Sequence, residues 1–187
     1  MDHSFYTTAR QQARPMPHQP RQQAREHGRQ LMKILMIGAA LFVAVAIAGL
    51  FLFSADIDRE IDFAKPLLID RPNQYLVCPK DFCADTPNEL SPVFEATPEQ
   101  VLGAWDKVVS AEPRITPVDQ ADSNRRSFIQ RSGLLKFPDR VTMQVVPVEG
   151  GGTSLAVYSQ SKYGYSDAGV NAARVKRLLA AVAEALK

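Results

Sequence analysis

Apolar residues fall along this chain in three rhythms. Residues 34–53, ILMIGAALFVAVAIAGLFLF, run for twenty positions without a charge. A helix of that length spans about 30 Å, the thickness of a bilayer's hydrocarbon layer. A helical period follows at Val101, Ala104, Trp105, Val108 and Val109. Thr97 is placed to cap it, with Pro98 at the first helical position and Gln100 reaching back. Glu112 and Pro113 end it. Next comes a period of two. Residues 114–118 form a weak strand, and 125–131 place Ser127, Ile129 and Arg131 opposite Arg126, Phe128 and Gln130. Residues 134–137 lead into a turn at Pro138 and Asp139. Val141, Met143 and Val145 share a face of the next strand, and residues 149–152 turn it into a partner carrying Leu155 and Val157. From Asp167 the period returns to 3.6, with Val175, Leu178, Leu179, Val182 and Leu186 in one stripe. The order predicts an α+β fold, a small and mostly antiparallel sheet packed against two helices, preceded by a single transmembrane helix.

Charge divides the chain in the same places. Through Lys33 there are six basic residues and two acidic ones, a net of +4. From Ser54 onward 16 basic residues face 18 acidic ones, a net of −2. Residues 1–30 are rich in Gln, Arg and Pro, and are expected to be a disordered basic cytoplasmic head. Residues 31–53 are expected to be a signal-anchor, with residues 34–53 meeting the lipid bilayer and 54–77 a linker. The positive head predicts a single-pass protein of the cell inner membrane, with its N terminus cytoplasmic and its C-terminal domain periplasmic. A cleaved signal peptide is the rival reading, disfavoured by the length of the apolar run. The lack of a basic excess from Ser54 onward speaks against a nucleic-acid partner.

Chemistry-bearing residues are sparse. The three histidines, His3, His18 and His27, all precede the apolar run. The outer domain therefore offers no histidine triad and no His-based metal site, and no cofactor motif is found. Cys78 and Cys83, five positions apart, suit a short disulfide loop, with free thiols or metal and redox chemistry as alternatives. The densest polar stretch is SKYGYSDAGVNAARVKRLL, residues 161–179. Ser166 or Asp167 is placed to cap the last helix, and Gly164 to take a positive φ leaving the strand. Gly169, in the first turn, suggests a close approach to the backbone. A ligand-binding reading gathers Ser161, Lys162, Ser166, Asn171 and Arg174 around an anion at the helix start. A structural reading makes Gly164, Asp167 and Gly169, with Pro138 and Asp139, the corner that holds strand to helix.

The run YSQSKYGYSDAGVNAARVKRLL resembles the C-terminal signature of the DUF1499 family of uncharacterised domains. The resemblance rests on Ser159, Ser161, Gly164, Ser166, Asp167, Gly169, Val170, Asn171 and Arg174. Phe137, Pro138 and Asp139 match a second motif, and Pro87 and Asn88 a third. It spans residues 78–186 and implies a domain found with membrane segments or export signals. It implies no catalytic residue. Arginines often found in the family at the positions of Lys162 or Tyr163, and of Ala172, are absent here, which implies weaker anion binding.

Three functions follow as expectations. The first is a membrane-anchored outer domain with a binding or envelope-associated role, toward an envelope protein or a small polar or anionic ligand. An exposed apolar sheet face would mark a protein or lipid partner, and an apolar pocket a lipophilic ligand. The second is an anion- or lipid-binding module at the helix start. The third is a hydrolase-like enzyme, which needs Asp139, Asp167 and an arginine converging in one cleft.

Overall fold

A computed structural model describes residues 20–52, 57–118 and 122–187 of the 187-residue chain. The chain forms two compact units, Met1–Val45 and Ala46–Lys187.

Helix α1 covers Pro20–Leu52, and the most apolar 18-residue window in its Arg25–Gly49 stretch has a mean hydropathy of 2.5. By length and composition this stretch is able to cross a membrane. Its large side chains, Phe42 and Val45 among them, are exposed. The helix starts earlier than expected, since residues 20–30 are helical and not part of a disordered head. Gln, Arg, Ala and Glu are sound helix formers there. Once the apolar run is helical, extension adds one hydrogen bond per residue without a new nucleus. The rest of the expected head, residues 1–19, lies outside the described residues.

The second unit is built on one sheet. Its strands are β1 (Gln74–Cys78), β2 (Glu89–Leu90), β3 (Val93–Phe94), β4 (Ile115–Val118), β5 (Arg125–Arg131), β6 (Pro138–Pro147) and β7 (Thr153–Ser161). Their order is β2-β1-β7-β6-β5-β4, with β3 beside the start of β7. All pairings are antiparallel except β1 with β2. Helices α2 (Pro98–Ser110) and α3 (Val170–Ala185) lie on one face. Thr97 and Gln100 form the expected capping box on α2. Trp105, Val141, Met143, Leu155, Val157, Val175, Leu178 and Val182 are buried together under the helices. Each such apolar side chain contributes about 1.5–3 kcal/mol on leaving water.

The sequence reading needs three further corrections. Residues 57–77 are not a linker. Ile57, Ile61, Phe63 and Leu67 are buried, and β1 is an inner strand. Ile61, Phe63 and Leu67 pack on the other sheet face against Leu76, Cys78, Val146, Ala156 and Tyr158. That face is therefore covered by these residues; residues 54–56 of the expected linker lie outside the described residues. The second correction concerns Pro138 and Asp139, which open β6 and form no turn. The turn lies before them, closed by Ser132 N–H to Phe137 O at 2.9 Å and Phe137 N–H to Ser132 Oγ at 3.0 Å. Proline is tolerated as the first residue of a strand. The third is Gly169. A side chain there would meet nothing within 4 Å, so no close approach explains it. Its φ of 79° does, because that conformation suits glycine best.

Candidate functional site

The helix-covered face of the sheet changes character toward one end. Along β6 the inward residues are Val145, Met143 and Val141, and then Asp139. Along β7 they are Leu155 and Val157, then Ser159 and Ser161. Gln130 of β5 pairs with Asp139. The inner face of α3 matches this switch, with Asn171 and Arg174 leading into Val175, Leu178 and Val182. Polar groups thus meet polar groups at the N-terminal half of α3, and apolar groups meet apolar groups beyond it.

Arg174 is the hub. Its Nη2 donates to Asp139 Oδ2 at 2.6 Å and its Nε to Gln130 Oε1 at 2.7 Å. Its Nη1 donates to Asn171 Oδ1 at 2.7 Å and to Ser159 Oγ at 3.0 Å. Asn171, fully buried, donates through Nδ2 to Asp167 Oδ2 at 2.6 Å, Ser161 Oγ at 2.9 Å and the Asn73 carbonyl at 3.0 Å. Asp167 also accepts from the backbone N–H of Gly169 at 2.9 Å and of Asn171 at 2.8 Å, which closes the first turn of α3. Asn73 holds Gly164 O at 2.8 Å, so the turn of positive φ leaving β7 is tied to β1. The Arg174–Asp139 ion pair inside this cluster is desolvated, and the remaining guanidinium nitrogens donate to Gln130, Ser159 and Asn171, which favours the persistence of a buried pair.

Five candidate ligand residues therefore separate into two groups. Ser161, Asn171 and Arg174 converge, but on one another and on Asp139 and Asp167. Lys162 lies elsewhere, 3.8 Å from Asp58 and over the Tyr163 ring. Ser166 caps locally, accepting from Ala168 N–H at 3.3 Å. Asp139 and Asp167 are joined through Arg174 and Asn171, each by a direct bond to its own partner.

Outside this cluster lies a groove of about 600 Å³, lined by Glu112, Arg114, Gln130, Arg131, Arg174 and Arg177 among others. Four arginines and two carboxylates, Glu112 and Asp139, face it. Asp139 belongs to Arg174 and Glu112 to Arg177. Burial raises the Glu112 carboxyl, but the bonds from Arg177 and Gln130 outweigh it and hold it below its ordinary value. Arg114 and Arg131 have no carboxylate partner among the described residues. They clasp each other: Arg131 N–H donates to Arg114 O at 3.0 Å, and Arg114 Nε to Arg131 O at 3.0 Å. Arg131 Nη1 also donates to Lys136 O at 3.3 Å. Arg114 takes a left-handed φ of 60°, unfavourable for a residue other than glycine. The groove thus carries its uncompensated charge and unspent donors on Arg114 and Arg131.

Sequence reasoning missed Arg114, Arg131, Gln130 and Asn73 as members of this region. Gln130 had a signal, since it alternates in phase with Phe128 and so had to face the core. Arg114 and Arg131 had none, because only the β4–β5 pairing brings them together.

Cys78 and Cys83 are disulfide-bonded, with Cα atoms 6.2 Å apart. Among the described residues there is no cluster of His, Cys, Asp or Glu fit to hold a metal ion.

The architecture is that of a small α+β domain whose polar cluster lies under the start of its last helix. The chain belongs to the DUF1499 family, described as a protein of unknown function, whose model matches residues 66–182. That match starts within the stretch expected to be a linker, in agreement with the packing of residues 57–77. Among curated proteins, none matches the chain. Six of the residues that carried the resemblance lie in the cluster: Asp139, Ser159, Ser161, Asp167, Asn171 and Arg174. Asn88, of the third motif, accepts from Leu76 N–H at 2.8 Å and so fixes the edge of β1.

Proposed function

We propose that this protein is a single-pass protein of the cell inner membrane whose periplasmic domain binds a small anion in the arginine-lined groove. One observation carries the binding reading. Arg114 and Arg131 hold donors toward a groove whose carboxylates are already engaged by Arg174 and Arg177. Arginine's planar fork suits phosphate and carboxylate groups. The ligand site is thus displaced from the helix start, with the buried cluster as its rigid floor. Lys162 and Ser166 are outside it, Asn171 acts only by holding Arg174, and Ser161 only by holding Asn171.

The topology reading draws on other features. Six basic residues precede the apolar run, which favours a cytoplasmic N terminus. The disulfide favours an oxidising compartment for the domain. An export-dependent reporter fused after Lys187 is expected to be active outside the cytoplasm; activity only inside would overturn the topology.

Binding is tested by melting the full chain in a neutral detergent with rising inorganic phosphate. Phosphate is expected to raise the melting temperature beyond chloride at matched ionic strength, as a ligand of the folded state must. Equal effects of the two salts would overturn the binding reading.

A further inference from the structure

The groove's rim continues into a hairpin tip of unusual composition. Arg131, Ser132 and Gly133 line the groove, and the next residues are Leu134, Leu135 and Lys136. Leu134 is 90% exposed and Leu135 62%, the two largest values for any large apolar side chain described in residues 57–187. Turn tips are normally built from Gly, Asn, Asp, Ser and Pro. This tip is also stiff. The two Ser132–Phe137 bonds close it, and Phe137 stacks edge-on against Tyr163 with ring centroids 5.6 Å apart. Three cations, Arg114, Arg131 and Lys136, flank the leucines, and none has a carboxylate partner among the described residues. The first described residue after α1 lies at this same end of the sheet. Ile57, separated from Leu52 by four residues, is held through its carbonyl by Arg140 Nη1 at 2.8 Å, and Arg140 is the third residue of β6.

Apolar residues at a tip, ringed by cations, match the surface of a bilayer carrying anionic phospholipid. The leucines suit the acyl boundary and the arginines the headgroup phosphates. We propose that the β5–β6 tip docks on an anionic phospholipid surface, with Leu134 and Leu135 inserted and a lipid phosphate held by Arg114 and Arg131. The inference rests on the reading of the groove as an anion site and names its ligand class. The docked domain presents the groove mouth to the membrane plane, where the effective headgroup concentration is high.

The test uses the full chain in nanodiscs of phosphatidylcholine, alone or mixed with phosphatidylglycerol. An environment-sensitive fluorophore is attached at L134C, and in a separate protein at L90C, a second exposed leucine site. In phosphatidylglycerol discs the L134C label is expected to shift to the blue and be quenched by lipid-borne quenchers, and the L90C label to stay wet. The L134C response is expected to fall on the order of tenfold in R114A/R131A, from loss of two headgroup-facing charges. A label at L134C that stays wet in both discs overturns the proposal. So does insertion that ignores phosphatidylglycerol, or equal insertion at L90C. Phosphate-dependent stabilisation in detergent separates the two readings. If it persists while the tip stays wet, the groove still binds anions and only the membrane docking fails. If it too is absent, both readings fail.

Discussion

Arg174 and Asp139 form an ion pair of 2.6 Å inside the domain, between side chains 8% and 11% exposed. The two residues stand 35 positions apart, on α3 and β6. Every nitrogen of the guanidinium has a protein acceptor. The pair therefore serves the fold first, and forms only a fixed wall of the groove. Removing one partner strands the other. R174A or D139A is expected to lose about 3–5 kcal/mol, and the double change R174M/D139L less than either. Denaturant unfolding of the full chain, followed through the buried and only tryptophan, Trp105, measures this.

Two adjacent residues at the start of α3 take a left-handed backbone, Ala168 at 54° and Gly169 at 79°. The glycine suits that conformation and the alanine does not. With open space around Gly169, G169A has only a backbone cost, expected near 1 kcal/mol. A168G relieves the same strain and is expected to be neutral or stabilising. The same unfolding assay reads both, and equal losses for the two would refute this account of the corner.

The Cys78–Cys83 bond closes a loop on the sheet face opposite the helices. Phe82 of that loop meets Phe63, and Asp85 just beyond it accepts from Leu68 N–H at 3.0 Å. Loss of the bond in C78S/C83S is expected to cost about 2–3 kcal/mol. Faster hydrogen exchange should appear in residues 57–68 and 78–91 and leave α2 and α3 nearly unchanged. Uniform acceleration across both faces would show that the loop does not secure this cover.

Tyr158 supplies a pH test. Burial pushes its phenol up to about 12, outweighing the opposing pull of Arg59. Its hydroxyl donates to Gln74 Oε1 at 2.6 Å. A raised folded value means that stability is intact below the ordinary value near 10. It is then lost as the pH climbs from about 10 toward 12, because the unfolded phenol ionises first. Y158F is expected to flatten the alkaline limb of the stability profile over that window. An unchanged limb would place the titration on another group.

Much of this fold is legible in periodicity. The α2 capping box, the Val141 and Leu155 strand faces and the α3 stripe each follow from local spacing, and each is where the spacing puts it. The corner at residues 161–174 was legible as a unit but not in its direction. Its side chains read as reaching outward to a ligand, whereas Asn171 and Arg174 turn inward because Asp139, Gln130 and Ser159 wait there. Those partners come from three strands, and no local pattern announces that meeting. Residues 57–77 were illegible for a related reason. Their prolines and short apolar runs have no period, and their burial depends on a sheet face assembled from strands far along the chain. The groove lies beyond sequence reasoning altogether, since strand pairing alone sets Arg114 beside Arg131.

The central claim is that this groove is an anion site built on Arg114 and Arg131. Calorimetric titration of inorganic phosphate into the full chain in neutral detergent addresses it most directly, with R114A/R131A titrated alongside. Both side chains are exposed, so the variant is expected to fold as the parent does. The parent should give a saturable isotherm that weakens with added salt, and the variant should bind on the order of tenfold more weakly. A featureless titration of the parent, or the same isotherm from both proteins, would contradict the account.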